Sequence, residues 1–177
     1  MSTQTAGFTS RGALEENSPS RRNGIDQRQE ASYRWSYCEF LKDAGVMLKM
    51  PQLTIATAAV FCHRFYARHS HGAPNNEWFT IATACLFLAG KVEETPKPLK
   101  EVVQVSYLIQ HKQTLRSGLE HEQREKILRA EMTVLQTLGY DFNVEHPYKH
   151  LLNVVGRCRL TTSKPELNWR LVSAISA

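Results

Sequence analysis

Apolar residues recur at steps of three and four along most of this chain, the spacing that places them on one face of an α-helix. Proline, glycine and polar clusters divide the pattern into segments. Five helices are predicted, over residues 25–50, 52–68, 78–90, 98–110 and 122–138. No segment shows a period-two alternation, typical of a strand, that competes with this helical pattern. The pattern therefore predicts an all-α domain.

The third predicted helix differs from the others because it has no charged face. Residues 78–89 carry no charged side chain, and apolar residues lie on every side. Such a helix must be surrounded by other helices. Its small residues, including Ala82, Ala84 and Ala89, would let those neighbours approach closely. We therefore expect a compact five-helix bundle with this helix buried at its centre.

The two ends of the chain differ from this central region, residues 25–142. Residues 1–24 contain few apolar side chains, and we predict that they are disordered because they bury too little surface to offset chain entropy. Residues 143–177 contain a sixth predicted helix, from Pro147 to about Cys158, followed by a basic tail.

Most of the net charge of +5 lies near the C-terminus. From residue 149 onward there are five basic side chains and one acidic side chain, a local charge of +4. A basic segment can contact nucleic acid or an acidic partner. Since few aromatic residues are interleaved with these charges, we favour a solvated tail and expect no direct nucleic-acid binding beyond a weak contact.

Composition and motifs exclude several other classes of protein. No apolar run approaches the roughly 20 residues that span a membrane. The first residues lack a charged-then-apolar pattern, so we predict no signal peptide and an intracellular protein. The four cysteines are widely spaced and predict packed thiols rather than a metal site. No phosphate loop, hydrolase motif or kinase signature occurs, so we predict neither an enzyme nor a cofactor.

Several short phrases occur in a fixed order along the predicted helices. They are Ser32-Tyr33-Arg34, then His63-Arg64-Phe65-Tyr66, then Phe87-Leu88-Ala89-Gly90-Lys91-Val92-Glu93-Glu94, and finally Leu135-Gln136-Thr137-Leu138-Gly139-Tyr140-Asp141-Phe142. Together they resemble the cyclin family. The phrases Thr95-Pro96-Lys97-Pro98-Leu99 and His146-Pro147-Tyr148 resemble the transcriptional cyclins, specifically cyclin T as found in plants. The resemblance covers about residues 20–152.

This resemblance implies a fold and a function. A cyclin box has five helices, which agrees with the number predicted above. Cyclins usually carry two boxes, so we expect a chain that stops after the first box and the opening helix of an incomplete second one. Cyclins are non-catalytic partners that bind a cyclin-dependent Ser/Thr kinase as a heterodimer and hold its regulatory helix inward. Cyclin T members pair with the kinase that phosphorylates the RNA polymerase II tail during elongation, which implies the nucleus.

The resemblance also implies which residues bind the kinase. Lys91, at the end of the third helix, and Glu131, in the middle of the fifth, match positions that face the kinase's regulatory helix. The other matching positions are Val92, Glu93, Leu135, Tyr140 and Phe142. Arg34 matches a structural arginine that is buried against neighbouring helices. Since Glu131 lies on or beside the apolar stripe, it should have a partner.

Four alternatives remain open. A truncated cyclin could bind a kinase without activating it and act as a competitor. A cyclin-fold scaffold for nucleic acid or transcription factors, like the transcription factor IIB group, would need a basic face on the helices. The chain could also be an inert fragment, or a member of the cyclin K or L type with a different kinase.

Overall fold

The computed structural model describes residues 18–74, 76–148, 150, 151 and 153. Six α-helices lie between residues 18 and 142: α1 (Pro19–Arg22), α2 (Gln27–Met47), α3 (Gln52–Tyr66), α4 (Trp78–Val92), α5 (Leu99–His111) and α6 (Glu120–Leu138). A single 3-10 turn, Ser117–Leu119, precedes α6. No strand occurs among the described residues. The predicted all-α fold and its five main helices are confirmed.

Helix α4 is the centre of the bundle. It packs against α2, α3, α5 and α6, and all twelve residues from Phe79 to Gly90 are buried. The expected surrounded position of this charge-free helix is therefore confirmed. No helix in the described ranges is both long and apolar enough to cross a membrane.

Close approach of α2 and α3 depends on Gly45. A Cβ atom at this position would overlap the side chain of Ile55 on α3. Gly45 lies in the last turns of α2, and Leu41 and Ala44 beside it are fully buried. The absence of a side chain at residue 45 lets the two helix backbones approach at this point.

The beginning of the described chain differs from the prediction that residues 1–24 are disordered. Ser18 caps α1, accepting a hydrogen bond from the Arg21 N–H, and its hydroxyl donates to Glu30 at 3.0 Å. The Ser20 hydroxyl accepts from the backbone N–H of His71 at 3.1 Å. The low apolar content of this segment did not indicate that it is ordered, because polar side chains hold it in place. Residues 1–17 lie outside the described residues.

The chain divides after Phe142 into two compact units, and the second is described only in part. Residues 148, 150, 151 and 153 are helical. The Leu151 N–H donates to the carbonyl of Pro147 at 3.0 Å, in agreement with a helix that begins at this proline. The rest of the sixth helix predicted to reach Cys158, and the basic tail, lie outside the described residues.

Two apolar residues on these helices are exposed rather than buried in the core. Leu53 on α3 is 43% exposed and Leu128 on α6 is 37% exposed. Both positions satisfy a helical period, but the bundle buries only the neighbouring strip of each helix.

Candidate functional site

The C-terminal end of α4 lies against the middle of α6, where an ion pair joins the two helices. Lys91 Nζ lies 2.7 Å from Glu131 Oε1. Glu131 is only 6% exposed, whereas the Lys91 side chain is 46% exposed. The prediction that Glu131 needs a partner is confirmed, and a freely solvated Glu131 is excluded. The pair presents an accessible ammonium above a buried carboxylate.

Lys91 is also held by an aromatic ring one turn earlier on α4. Its ammonium lies 4.0 Å from the centroid of the Phe87 ring, a favourable cation–π geometry. Phe87 and Glu131 therefore fix the lysine from two sides. A fixed side chain loses less rotamer entropy when a partner binds.

The end of α4 carries two more candidates, Val92 and Glu93, directly after Lys91 in the sequence. Glu93 ends the helix, and its backbone N–H donates to the carbonyl of Ala89 at 2.9 Å. Its carboxylate accepts a hydrogen bond from the hydroxyl of Thr57 on α3 at 2.6 Å. Val92 is half-buried. The loop is thus attached to the bundle through Glu93.

The turn after α6 carries the remaining candidates. Gly139 and Tyr140 both adopt left-handed backbone conformations, with φ of 63° and 60°. The Tyr140 N–H donates to the carbonyl of Leu135 at 3.2 Å. The Tyr140 side chain is 59% exposed, whereas the Phe142 ring lies edge-on to Phe61 of α3, with centroids 6.1 Å apart. This turn therefore presents Tyr140 outward and anchors Phe142 inward.

The seven predicted kinase-binding residues fall into contacting groups. Lys91 contacts Glu131 directly, and the Tyr140 and Phe142 rings are 6.5 Å apart. Leu135 is half-buried and lies one helical turn after Glu131. Glu93 is connected to the bundle through α3 rather than through the ion pair.

Sequence reasoning missed an exposed apolar stripe on α6. Leu128 and Met132 are 37% and 51% exposed. Together with Leu135 they are spaced by four and three residues, so they share one helix face. Glu131 lies between this stripe and the buried face of α6. The signal in the sequence is that Met132, next to Glu131, lies out of phase with the core residues of α6. This indicates a second, solvent-facing apolar stripe.

Arg34 differs from the buried arginine that the resemblance implied. Its side chain is 42% exposed, and its guanidinium contacts Glu30 at 2.9 Å. Glu30 is the buried member, at 3% exposure, and it also receives the Ser18 hydroxyl and a 3.5 Å contact from Arg21. Arg34 therefore has a structural role as a counter-charge to a buried carboxylate.

His71 is held between an aromatic ring and a serine hydroxyl. Its ring stacks on Tyr66 with centroids 3.8 Å apart, and Nδ1 lies 2.9 Å from the Ser20 hydroxyl. Burial lowers the pKa of His71 to about 4. Within the described part of the chain, no three His, Cys, Asp or Glu side chains are grouped so that they could hold a metal ion.

A five-helix unit wrapped around α4, with a lysine–glutamate pair joining α4 and α6, has the architecture of a cyclin box. Residues 8–143 match the family described as "Cyclin, N-terminal domain". The match covers more than half of the chain, and the chain belongs to the cyclin family. Cyclins are regulatory subunits and not enzymes.

The similar curated proteins are plant cyclins of the T1 group. The chain is 48% identical over 174 residues to "Cyclin-T1-3" of Oryza sativa subsp. japonica, covering 94% of this chain and 35% of that protein. It is also 48% identical to "Cyclin-T1-4" of Arabidopsis thaliana, covering 94% and 32%. The chain thus spans about a third of the length of these relatives.

A solved structure supports the fold independently. A chain from the "Crystal Structure of the yeast RNA Pol II CTD kinase CTDK-1 complex" superposes with a TM-score of 0.72 and 22% identity, covering 86% of this chain and 49% of that chain. At this identity the likeness shows the cyclin-box fold alone.

Proposed function

We propose that this chain is a regulatory subunit that binds and activates a cyclin-dependent kinase of the transcription-elongation type, in the nucleus. The observation that carries the proposal is the fixed Lys91–Glu131 pair beside an exposed apolar stripe. The plant relatives are named as T1 cyclins, and the structural neighbour belongs to a complex with an RNA polymerase II CTD kinase. Both support a transcriptional kinase as the partner.

The surface suits an amphipathic helix of the partner kinase. Leu128, Met132 and Leu135 offer apolar area, and burying each is worth roughly 1–2 kcal/mol. The Lys91 ammonium has donors left after its contact with Glu131, so it can bind a carbonyl or carboxylate of the kinase. Holding the kinase's regulatory helix against this surface would complete the Lys–Glu pair within the kinase and free its activation loop.

The structure decides which charge reversal tests the proposal most cleanly. Glu131→Lys would place an ammonium in a buried position, so loss of binding could reflect loss of the fold. Lys91→Glu changes a half-exposed side chain at the surface itself, but it also leaves the buried Glu131 carboxylate without its counter-charge, so thermal unfolding of this variant must show that it remains folded. Lys126→Glu is a matched control, because Lys126 forms an exposed ion pair with Glu77 at 2.8 Å and lies five residues before Glu131, on a different face of α6.

The experiment measures binding of the purified chain to a panel of cyclin-dependent kinases, together with phosphorylation of a polymerase-tail peptide. We expect binding with increased phosphorylation. We also expect Lys91→Glu to weaken binding by about tenfold or more and Lys126→Glu to leave it unchanged. Binding without increased phosphorylation would identify a competitor. If the chain binds none of the kinases in the panel, the proposal is refuted.

A further inference from the structure

One face of α3 contacts both loops that carry predicted kinase-binding residues. Thr54, Thr57, Phe61 and Arg64 are separated by three, four and three residues, which places them in one line along the helix. The first two contact the loop after α4, and the last two contact the turn after α6. The predicted surface is thus attached to α3 at four points.

The contact with the loop after α4 is made by two threonine hydroxyls. Thr54 Oγ1 lies 2.9 Å from Thr95 Oγ1, and Thr57 Oγ1 donates to Glu93 Oε1 at 2.6 Å. Thr54 and Thr57 are fully buried. A hydroxyl donating to a carboxylate at this distance makes a strong, charge-assisted hydrogen bond.

The contact with the turn after α6 works differently. The Phe142 ring packs on Phe61, which is fully buried. One residue earlier, the carbonyl of Asp141 accepts from the Arg64 guanidinium at 3.3 Å. Here α3 holds the backbone of the turn at Asp141 and its apolar anchor, Phe142. It leaves the Tyr140 side chain exposed.

We infer that Thr57 is a positioning residue that orients the Glu93 carboxylate toward a cationic or N–H donor group of the bound kinase. The inference rests on the proposed function and deepens it. Glu93 is half-buried and stands at the end of α4, two residues after Lys91. One carboxylate oxygen is held by a buried hydroxyl, so the group keeps one orientation and retains free acceptor positions. Such preorganisation lowers the entropy cost of binding.

The test uses substitutions that separate the hydroxyl from the packing of Thr57. Thr57→Val keeps the shape and removes the donor, whereas Thr57→Ser keeps the donor. We expect Thr57→Val to weaken kinase binding about fivefold, the value of one hydrogen bond, and Thr57→Ser to bind within about twofold of the unchanged protein. In a Glu93→Ala background, Thr57→Val should weaken binding no further.

Glu93→Asp provides a second test that does not disturb the core. Shortening the side chain keeps the charge but withdraws the carboxylate from the Thr57 hydroxyl, and Glu93 is only half-buried. We expect a loss of binding similar to that of Thr57→Val. Thermal unfolding of each variant shows whether it remains folded, and Glu93→Asp decides the matter if Thr57→Val does not fold.

Specific outcomes would overturn the inference. Unchanged binding of Glu93→Asp would do so, as would equal weakening by Thr57→Val and Thr57→Ser, or additive effects of Thr57→Val and Glu93→Ala. If Lys91→Glu loses binding while Thr57→Val does not, the proposed function stands and the role of Thr57 falls. If the unchanged chain binds no kinase, both fall together.

Discussion

At the scale of single residues, Lys91 and Glu131 are unequal members of one pair. The carboxylate is buried and the ammonium is half-exposed. Removing the lysine would leave a desolvated charge, while removing the glutamate would leave a cation that water can reach. The fold therefore depends more on the charge of Lys91, which offsets the buried carboxylate, than on the packing of the Lys91 side chain. The same ammonium remains available to a partner.

His71 makes stability depend on pH, because its ring is buried among Tyr66, Tyr33 and Ser20. Burial is the main cause that lowers the pKa of His71 to about 4. The positive charges of Arg34 and His63 lower it further, and Glu30 opposes the shift. The unfolded chain takes up this proton near its ordinary pKa of about 6.5. The stability that depends on a neutral His71 is therefore fully present above about pH 6.5 and is lost as the pH falls toward 4.

Between pH 7.5 and pH 5, we expect His71 to account for a loss of about 2 kcal/mol in the free energy of unfolding. Urea denaturation at these two pH values measures it. His71→Gln should reduce the pH dependence by this amount. Replacement of the exposed His121 by Gln should leave it unchanged. An identical pH dependence in His71→Gln and the unchanged protein would contradict the prediction.

At the scale of the elements, Gly45 tests how closely α2 and α3 are packed. Gly45→Ala would improve helix propensity by up to about 1 kcal/mol, but its Cβ would overlap Ile55. We expect a net destabilisation of roughly 1–2 kcal/mol, because overpacking costs about 1–3 kcal/mol. The free energy of unfolding measures the change.

Gly118 supplies the matched control for this substitution. No atom lies within 4 Å of a Cβ atom built at Gly118, so Gly118→Ala should be neutral or slightly stabilising. Equal effects of the two substitutions would show that packing against Ile55 does not limit residue 45.

Helix positions were predictable from sequence because their boundary signals are local. Pro51 separates α2 from α3, and Gly139 ends α6 in the left-handed conformation that favours glycine. The charge-free pattern of α4 likewise identified the centre of the bundle. These signals need only neighbouring residues, so one sequence suffices to detect them.

Contacts between distant residues were not predictable in the same way. The resemblance to cyclins indicated Lys91 and Glu131 as separate positions, but their contact joins residues 40 apart in the chain. The Thr57–Glu93 hydrogen bond joins residues 36 apart. The docking of α1 relies on serine hydroxyls, which carry no periodic signal. Each of these features depends on how the helices pack, which periodicity alone does not determine.

At the scale of the whole molecule, the unit that ends at Phe142 has its own core. Phe142 packs on Phe61, and Arg64 holds the carbonyl of Asp141. We expect a chain shortened to end at Phe142 to unfold cooperatively, with a Tm within about 4 °C of the full chain, equivalent to about 1 kcal/mol. Circular dichroism during heating measures both properties.

A chain shortened further, to end at Leu138, is the informative comparison. It loses the Gly139 cap and the Phe142 anchor together, and we expect its Tm to fall by about 10 °C or more. If this chain were as stable as the one ending at Phe142, the turn after α6 would contribute nothing to the fold.

The burial of α4 has a consequence for how the protein is made. Synthesis proceeds from α1 toward α6, so the most apolar helix leaves the ribosome before two of the helices that cover it, α5 and α6. At about 5–20 residues per second, several seconds pass before α6 follows. During that interval the nascent chain exposes an uncharged apolar segment, the kind of surface that chaperones bind. Helix α6 completes the predicted kinase-binding surface, and its emergence from the ribosome also ends this exposure.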